Sequence, residues 1–272
     1  MKKTLAGVGK YGSLILAVIV VLLPLSVVLF ASFKTKEEYA NTGPLQPPAN
    51  WFNFSNFVDA AIKSDMLQGF INTTIILVIS LTGTILIGTM AAYAVDRFAF
   101  RGKKLIMGMF LIATLIPSVT SQVATFQIIS GLGLYNTKAA LVLLFMGTDI
   151  IAIYIFIQFM QSIPVSLDEA ATLDGANRWT IYWRVILPLL KPAIATVVII
   201  KGIAIYNEFY LPTLYLQSEN LISTALFRFK GPFGAQWELI AAATILVIVP
   251  TVIAFIFLQR WIYKGLVAGA VK

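Results

Sequence analysis

Charged residues interrupt two long apolar stretches of this sequence. Lys201 and Glu208 lie seven residues apart in one stretch, with Asn207 beside the carboxylate, and Asp149 lies in the other. A spacing of seven returns to the same face of a helix, and a charge at the centre of a bilayer costs about 2.5–3.5 kcal/mol on insertion scales. Such charges either line a path for a polar solute or form ion pairs that fix helix packing. For Asp149 we favour an ion pair with another helix.

The sequence excludes the common catalytic arrangements. It has no Cys and no His, so it can form no disulfide, no thiolate or imidazole metal site and no nucleophile–histidine pair. Gly83 and Gly88 have the glycine spacing of a phosphate-binding loop, but no Lys-Ser or Lys-Thr follows them. They lie in an apolar stretch, where we expect them to allow close helix packing. We therefore expect a chain that is not an enzyme and binds no ATP.

The most informative segment is the polar loop 161–191. Ser166 precedes Glu169 by three residues, the spacing of a capping box, in which each side chain bonds a backbone N–H of the first helical turn. Asp168 and Glu169 also lie at the positive end of the helix dipole. Gly175 suits the left-handed residue that ends a helix. The loop is therefore predicted to hold a short helix.

This short helix and the helix predicted after it carry different apolar faces. Leu167, Ala170 and Ala171 are spaced so that they share one small face. The later helix has an aromatic stripe of the kind found at membrane interfaces. Its members are Trp179, Tyr182, Trp183 and Ile186. Two interpretations remain open: a hairpin that only joins two spans, and a helix that docks in a groove of a partner protein. Docking accounts better for a small face that so short a helix cannot bury alone.

The elements that position these residues are predicted to be membrane-spanning helices. Hydrophobic residues make up 59% of the 272 residues, against roughly half in soluble domains, and they come in runs long enough to cross a bilayer. We predict six spans, at 13–33, 70–95, 105–127, 139–160, 192–211 and 237–258. Pro24, Pro117 and Pro250 lie inside spans and are expected to kink them. Pro188 and Pro192 are expected to turn the chain into the fifth span.

Basic residues orient the chain. Thirteen Lys and Arg residues lie in the segments on the same side as the N-terminus and six in the opposite segments, and basic loops stay inside. We therefore expect both termini in the cytoplasm and a single membrane domain over residues 1–272. The net charge of +8 is divided among loops and needs no nucleic acid to explain it. No cleavage site follows the first apolar run, so we expect a retained first helix rather than a signal peptide.

Several spaced motifs resemble those of one known family. Glu169-Ala170-Ala171, Gly175, Val185 and Leu187-Pro188 have the spacing of the EAA loop of bacterial ABC importer permeases, with Val185 where Ile is usual. Other features resemble the carbohydrate-uptake branch, which includes the maltose transporter's smaller permease. They are the 131–137 link, Tyr206-Asn207-Glu208-Phe209 with Tyr206 in place of the usual Trp, and the 259–272 tail. The resemblance covers nearly the whole chain.

The resemblance implies an all-α membrane protein with the type I ABC importer permease fold, in the bacterial cytoplasmic membrane. It implies an ATP-driven importer of a sugar or oligosaccharide. This chain would pair with a second homologous permease, bind two copies of an ATPase and receive sugar from an external solute-binding protein. The ATPase would use ATP and Mg²⁺, and this chain would bind no cofactor. The ATPase would contact the loop 161–191, here called the coupling loop, through Leu167, Glu169, Ala170, Ala171, Asp174 and Gly175.

Candidate substrate contacts lie in and after the fifth span. Aromatic faces and polar groups suited to a sugar are offered by Tyr206, Asn207, Tyr210 and Tyr215, and Lys201 and Glu208 complete the candidate pathway. The third span is unusually polar and is expected to face the interior or an external vestibule. Its polar residues are Ser118, Thr120, Ser121, Gln122, Thr125 and Gln127. In the maltose relative the other permease supplies most sugar contacts, so the resemblance leaves open which chain holds the site.

Three connecting segments also have an interpretation. Trp51, Phe52, Phe54 and Phe57 form either an aromatic belt at the membrane surface or a contact surface for an external partner. The loop 216–236 corresponds, in the maltose relative, to a segment that reaches into the binding protein, and a plain surface loop is the alternative. The charges of the turn 96–104 are explained as orientation signals.

An ion-coupled secondary transporter is the alternative function. Lys201 and Glu208 would then be the coupling charges. Such a protein would transport by itself and without ATP, and the coupling loop would have no purpose in it. The sequence names neither the sugar nor the ATPase.

Overall fold

The computed structural model describes residues 2–147, 149–231 and 234–270, most of which are helical. The long helices are α1 (Lys2–Phe33), α4 (Met66–Arg97) and α15 (Trp237–Ala270). The shorter helices are α2 (Lys36–Asn41), α3 (Ser55–Lys63), α5 (Lys103–Leu115), α6 (Gln122–Gly131), α7 (Lys138–Met146), α8 (Ile150–Met160), α9 (Ser166–Leu173), α10 (Arg178–Ile181), α11 (Leu187–Leu189), α12 (Lys191–Asn207), α13 (Tyr210–Tyr215) and α14 (Ile222–Ala225). Other short helical segments are two 3₁₀ helices, Ser118–Ser121 and Leu226–Phe229, and the π-helical turn Tyr182–Ile186. Two short antiparallel strands are β1 (Lys230–Gly231) and β2 (Gly234–Ala235).

Within these described residues, three helices are long and apolar enough to cross a membrane without a break. They are Lys10–Phe33, Met66–Arg97 and Trp237–Phe257. Three further candidates are pairs of helices joined at a bend. The bends are 91° between α5 and Val119–Gly131, 43° between α7 and α8, and 68° between Arg178–Leu189 and α12. Each of the six predicted spans overlaps one of these candidates, but the bent pair that holds α12 begins at Arg178, inside the predicted loop 161–191, and α12 ends at Asn207 rather than at 211. The number of crossings and the cytoplasmic position of the termini stay predictions.

Two of the bends lie beside prolines. Pro117 follows the end of α5, and the predicted kink there is confirmed by the 91° bend. A proline has no N–H and crowds the preceding turn, so a helix often ends beside it. The 68° bend lies between Pro188 and Pro192, where a change of direction was predicted. Helices α1 and α15 continue without a break through Pro24 and Pro250, and the kinks expected at these two prolines stay predictions.

The chain divides into two compact units. The first holds residues up to 70 and residues 220–252, and the second holds residues 71–219 and those from 253 onward. The prediction of one membrane domain stays a prediction.

In the first unit, aromatic residues gather around the end of α1. The ring of Phe33 lies 5.1–5.7 Å from the rings of Trp51, Phe54 and Phe57, whereas Phe52 is 83% exposed. Packing against Phe33 therefore holds three of these four aromatic residues in place. Whether they form a membrane belt or a partner surface stays open.

The core of the second unit lies where α4, α8, the π-helical turn and α12 meet. Phe156 of α8 is fully buried there, together with Tyr182 and Ile186 of the π-helical turn and Val197 of α12. The coupling loop is built onto this core, since its second half supplies part of it.

Two glycines of α4 let neighbouring helices approach. A Cβ added at Gly83 would overlap the side chain of Met146 in α7, and one added at Gly88 would lie 2.9 Å from the ring of Phe156 in α8. The predicted packing role of these glycines is confirmed.

Candidate functional site

Helix α9 of the coupling loop begins without a side-chain cap. The residue before the helix is Val165, and its carbonyl accepts the N–H groups of Asp168 at 2.9 Å and Glu169 at 3.1 Å. Ser166 is already the first helical residue. The predicted capping box is therefore wrong, because a backbone carbonyl bonds the N–H group of Glu169 that the Ser166 side chain was expected to bond.

A left-handed glycine ends α9. Gly175 has a φ of 83°, its N–H donates to the carbonyl of Thr172 at 3.0 Å, and the N–H of Ala176 donates to that of Ala171 at 2.9 Å. These two bonds form a Schellman motif, which satisfies the last carbonyls of a helix. The prediction for Gly175 is confirmed. The space around it is open, so the backbone conformation alone favours glycine.

The small apolar face predicted for α9 is divided between the core and the surface. Ala171 is partly buried against the core of the second unit, whereas Leu167 is 41% exposed and Ala170 is exposed. Leu173 lies outside the predicted site and is 89% exposed, so it adds an apolar group to the outer face. The predicted polar and turn residues on that side are also exposed: Glu169, Asp174 and Gly175.

The inner side of α9 is held by a buried ion pair. Nε of Arg97, the last residue of α4, donates to Oδ2 of Asp168 at 3.1 Å, and both side chains are 5% exposed. Nη1 of Arg97 also lies 2.5 Å from Oδ2 of Asp96. Membrane orientation therefore does not account fully for the turn 96–104, because the charges of Asp96 and Arg97 pair inside the protein. The one sequence signal for this pair is an acidic residue on the core side of α9.

The residues of the aromatic stripe after α9 are also divided between the surface and the core. Trp179 and Trp183 are 59% and 46% exposed, and their rings stack with centroids 6.5 Å apart. Tyr182 and Ile186 are buried, so the interface position predicted for them is wrong. Tyr182 can be buried because its hydroxyl lies 2.7 Å from Oγ1 of Thr89, which gives the polar end of the ring a partner.

Asp149 forms the predicted ion pair between helices. Its Oδ2 lies 2.5 Å from Nζ of Lys201 in α12, and its Oδ1 accepts the N–H of Ala152 at 3.0 Å, which caps α8. Glu208 lies just beyond the end of α12 in extended conformation, so the predicted position on the same helix face as Lys201 is wrong. Oε1 of Glu208 accepts the N–H of Tyr210 at 2.8 Å.

Comparison with known proteins assigns the family. Residues 83–267, more than half of the chain, match the family described as "Binding-protein-dependent transport system inner membrane component". The chain belongs to this family. It is 32% identical over 274 residues to the probable starch degradation products transport system permease protein AmyC of Thermoanaerobacterium thermosulfurigenes, which covers 97% of this chain and 98% of AmyC. It is 32% identical over 256 residues to the melibiose/raffinose/stachyose import permease protein MelC of Bacillus subtilis. That match covers 92% of this chain and 91% of MelC.

The fold of this inner membrane component matches that of an ABC importer. A chain in the crystal structure of a bacterial ABC transporter involved in the import of the acidic polysaccharide alginate superposes with a TM-score of 0.84. The match covers 96% of this chain and 97% of the other, at 19% sequence identity. The predicted ABC importer permease fold is confirmed.

In this inner membrane component, the candidate substrate residues lie around the end of α12. Tyr206 is partly buried, Asn207 is exposed with its Nδ2 donating to the carbonyl of Ile203 at 2.9 Å, and Tyr210 is 47% exposed. Tyr215 is fully buried. Its ring offers no face to a sugar, so the predicted sugar contact at Tyr215 is wrong.

Tyr215 joins two other segments of the second unit. Its hydroxyl accepts a hydrogen bond from Nε2 of Gln122 at 2.9 Å, and its backbone carbonyl accepts the N–H of Asn136 at 2.9 Å. Burial raises the pKa of the Tyr215 hydroxyl above its ordinary value of 10.0, so the hydroxyl stays neutral well above pH 7. Its contacts explain why the ring is buried.

Replacing Tyr215 with Phe is expected to lower the free energy of unfolding by about 1 kcal/mol, because Gln122 loses its hydrogen-bond partner. Transport by the assembled complex is expected to be unchanged. Thermal unfolding in detergent and a transport assay measure the two effects. A loss of transport without a loss of stability would return Tyr215 to the candidate substrate site.

The other segments with predicted external roles are only partly described. In the third span, Thr120 and Thr125 donate their hydroxyls to nearby backbone carbonyls, and the vestibule stays a prediction. In the loop 216–236, β1 and β2 pair, but Pro232 and Phe233 between them lie outside the described residues. Contact of this loop with a binding protein stays a prediction.

Proposed function

We propose that this chain is the permease subunit of an ATP-driven importer that moves a sugar or oligosaccharide across the bacterial cytoplasmic membrane. The members of its family are described as inner membrane components of binding-protein-dependent transport systems. AmyC and MelC are named as permeases for starch degradation products and for melibiose, raffinose and stachyose. A short oligosaccharide is the substrate class that these relatives suggest.

The proposed complex contains a second homologous permease, two copies of an ATPase and an external solute-binding protein. Six spans with both termini in the cytoplasm would place the coupling loop on the side of the ATPase. The excess of basic residues on that side supports this orientation. ATP and Mg²⁺ are used by the ATPase, and this chain contributes the pathway and the coupling surface.

The observation that carries the proposal is the construction of α9. Its inner side is fixed by Asp168 and Ala171, while Leu167, Glu169 and Leu173 remain exposed. Helix α9 is therefore held to the rest of the chain on one side and exposes apolar residues on the other. Such an exposed apolar face suits docking in a groove of a partner. Closure of the ATPase dimer would then displace α9 as a rigid body. The spans respond only as far as ATP and substrate bind one state better than the other.

The ion-coupled secondary transporter has less support. Its proposed coupling charges were Lys201 and Glu208, but Lys201 pairs with Asp149 and Glu208 lies beyond α12. The exposed face of α9 would have no purpose in such a protein. Uptake by this chain alone, in vesicles without nucleotide, would favour the secondary transporter.

Two substitutions in the coupling loop test the proposal. Glu169→Ala removes an exposed carboxylate from the outer face of α9. Gly175→Asp places a side chain where φ is 83°, a strain of about 1 kcal/mol that disturbs the end of α9. Uptake of radiolabelled raffinose or maltotriose by the complete transporter in proteoliposomes is expected to fall on the order of tenfold in each, a typical size for a coupling effect.

The matched control is Gly133→Asp. Gly133 also has a positive φ, 68°, and open space around it, but it lies in the 131–137 link, which the predicted topology places on the external side, opposite to the coupling loop. Its substitution is expected to cause similar backbone strain. Sugar uptake and co-purification of the ATPase with the chain are expected to stay unchanged. Unchanged uptake and ATP hydrolysis in both Glu169→Ala and Gly175→Asp would contradict the proposed coupling.

A further inference from the structure

Arg97 joins three segments of the second unit through three different nitrogen atoms. Nε donates to Oδ2 of Asp168 in α9 at 3.1 Å, and Nη2 donates to the carbonyl of Ile163 at 2.8 Å. Nη1 lies 2.5 Å from Oδ2 of Asp96. The side chains of Arg97 and Asp168 are each 5% exposed. One guanidinium group therefore connects the end of α4 with α9 and with the connection that precedes it.

This arrangement depends on arginine. A guanidinium group is planar and holds several donors in fixed directions, whereas the ammonium of lysine acts as a point charge on a flexible stem. Ala171 also contacts the core on the inner side of α9, but an apolar contact has no preferred direction. The bond between Arg97 and Asp168 is therefore a directional contact between α9 and α4.

Stability alone does not explain the buried pair. Apolar residues of similar size often replace a buried ion pair with no loss of stability, because neither charge then has to leave water. Oδ1 of Asp168 is buried and has no hydrogen-bond partner within the described part of the chain, so the carboxylate is incompletely compensated. What the pair does provide is a defined position of α9 relative to α4.

We propose that Arg97 is a positioning residue that fixes α9 to the end of α4, so that a displacement of α9 moves α4 with it. The inference rests on the proposed function, in which α9 receives the movement of the ATPase. Helix α4 runs without a break from Met66 to Arg97, and Gly88 within it packs on Phe156 of α8. A displacement that enters α4 at Arg97 therefore reaches the core of the second unit through a single helix.

The test measures the distance between α9 and the turn after α4. The chain has no Cys, so Ala99→Cys and Ser166→Cys provide two unique sites for spin labels. Both positions are exposed, and Ser166 lies in α9 but outside the predicted coupling residues. The complete transporter, assembled with Cys-free partner subunits in nanodiscs, is measured by double electron–electron resonance. Spectra are recorded without nucleotide and with ATP, Mg²⁺ and vanadate. With Asp168 intact, we expect one narrow distance that the nucleotide does not change.

Asp168→Leu is the decisive variant. It opens the bond to α9 without leaving Arg97 unpaired, because Asp96 still faces the guanidinium group. We expect loss of the single distance and a second population when ATP and vanadate are added. Asp168→Asn keeps an oxygen that can accept from Nε of Arg97 and should retain the single distance. Asp59→Leu, which removes the acid of an exposed ion pair on α3, is the control and should also retain it.

A single, nucleotide-independent distance in Asp168→Leu would overturn the inference. If that variant does not assemble, Arg97→Lys gives the same test, because an ammonium group cannot bond Asp96, Asp168 and Ile163 in their present directions. A single distance in Arg97→Lys would then overturn the inference as well. Failure of the proposed function has a different signature: the ATPase would not co-purify with the chain even when Asp168 is intact.

Discussion

Lys201→Met is expected to lower the free energy of unfolding by about 3 kcal/mol, the lower end of the range for removing one partner of a buried ion pair. The substitution takes away the ammonium group 2.5 Å from Oδ2 of Asp149, whose side chain is 13% exposed. A carboxylate in a predicted membrane span cannot recover this interaction from water. The lower end applies because Lys201 itself is 26% exposed. Unfolding of the purified protein by SDS in mixed micelles measures the change.

The matched double variant combines Lys201→Met with Asp149→Asn. Asn caps helices about as well as Asp, so the bond from the N–H of Ala152 at the start of α8 can persist while the unpaired charge is removed. Most of the lost stability is expected to return. A Lys201→Met variant as stable as the parent would show that Asp149 does not need its partner, and a pathway role for both charges would then be favoured.

Features that depend on one segment of chain could be predicted from the sequence. Long apolar runs predicted a segment that overlaps each of the six candidate spans, because a helix that crosses a bilayer needs about 20 apolar residues. Gly175 was correctly placed at the end of α9, because a left-handed backbone conformation is a local requirement. Pro117 was correctly placed at a bend, because its missing N–H acts on its own turn.

Features that depend on contacts between distant segments could not be predicted in the same way. Asp149 was expected to pair with another helix because a lone charge in a span needs a partner, but no local pattern identifies Lys201. Arg97 and Asp168 lie 71 positions apart. Each has a sufficient local explanation, membrane orientation for the arginine and the helix dipole for the aspartate, and these explanations conceal the pair.

The capping box at Ser166 failed for another reason. The required residue types and spacing are present, but the carbonyl of Val165 already accepts the N–H of Glu169. The coupling surface is affected by the same kind of competition, since packing against the core draws Ala171 inward and leaves Leu173 outside. A sequence pattern shows which bonds a helix could form, and the neighbouring backbone and core decide which ones it does form.

Gly88→Ala is expected to lower the free energy of unfolding by about 2 kcal/mol, within the range for overpacking a core. The added Cβ would lie 2.9 Å and 3.0 Å from two ring carbons of Phe156. Phe156 is fully buried, and a closely packed interior leaves its ring little space to move. The thermal unfolding midpoint and the SDS unfolding of the purified protein both measure this loss.

Comparison with two other glycines separates overpacking from a general effect of alanine. At Gly83 the added Cβ would come even closer to a neighbour, but that neighbour is the flexible side chain of Met146, which can rotate away, so a smaller loss is expected. At Gly108 in α5 the space is open, and alanine should leave stability unchanged or raise it slightly. Combining Gly88→Ala with Phe156→Leu should cost less than the sum of the two, since each relieves the other. Equal losses at all three glycines would mean that contact with Phe156 does not set the effect.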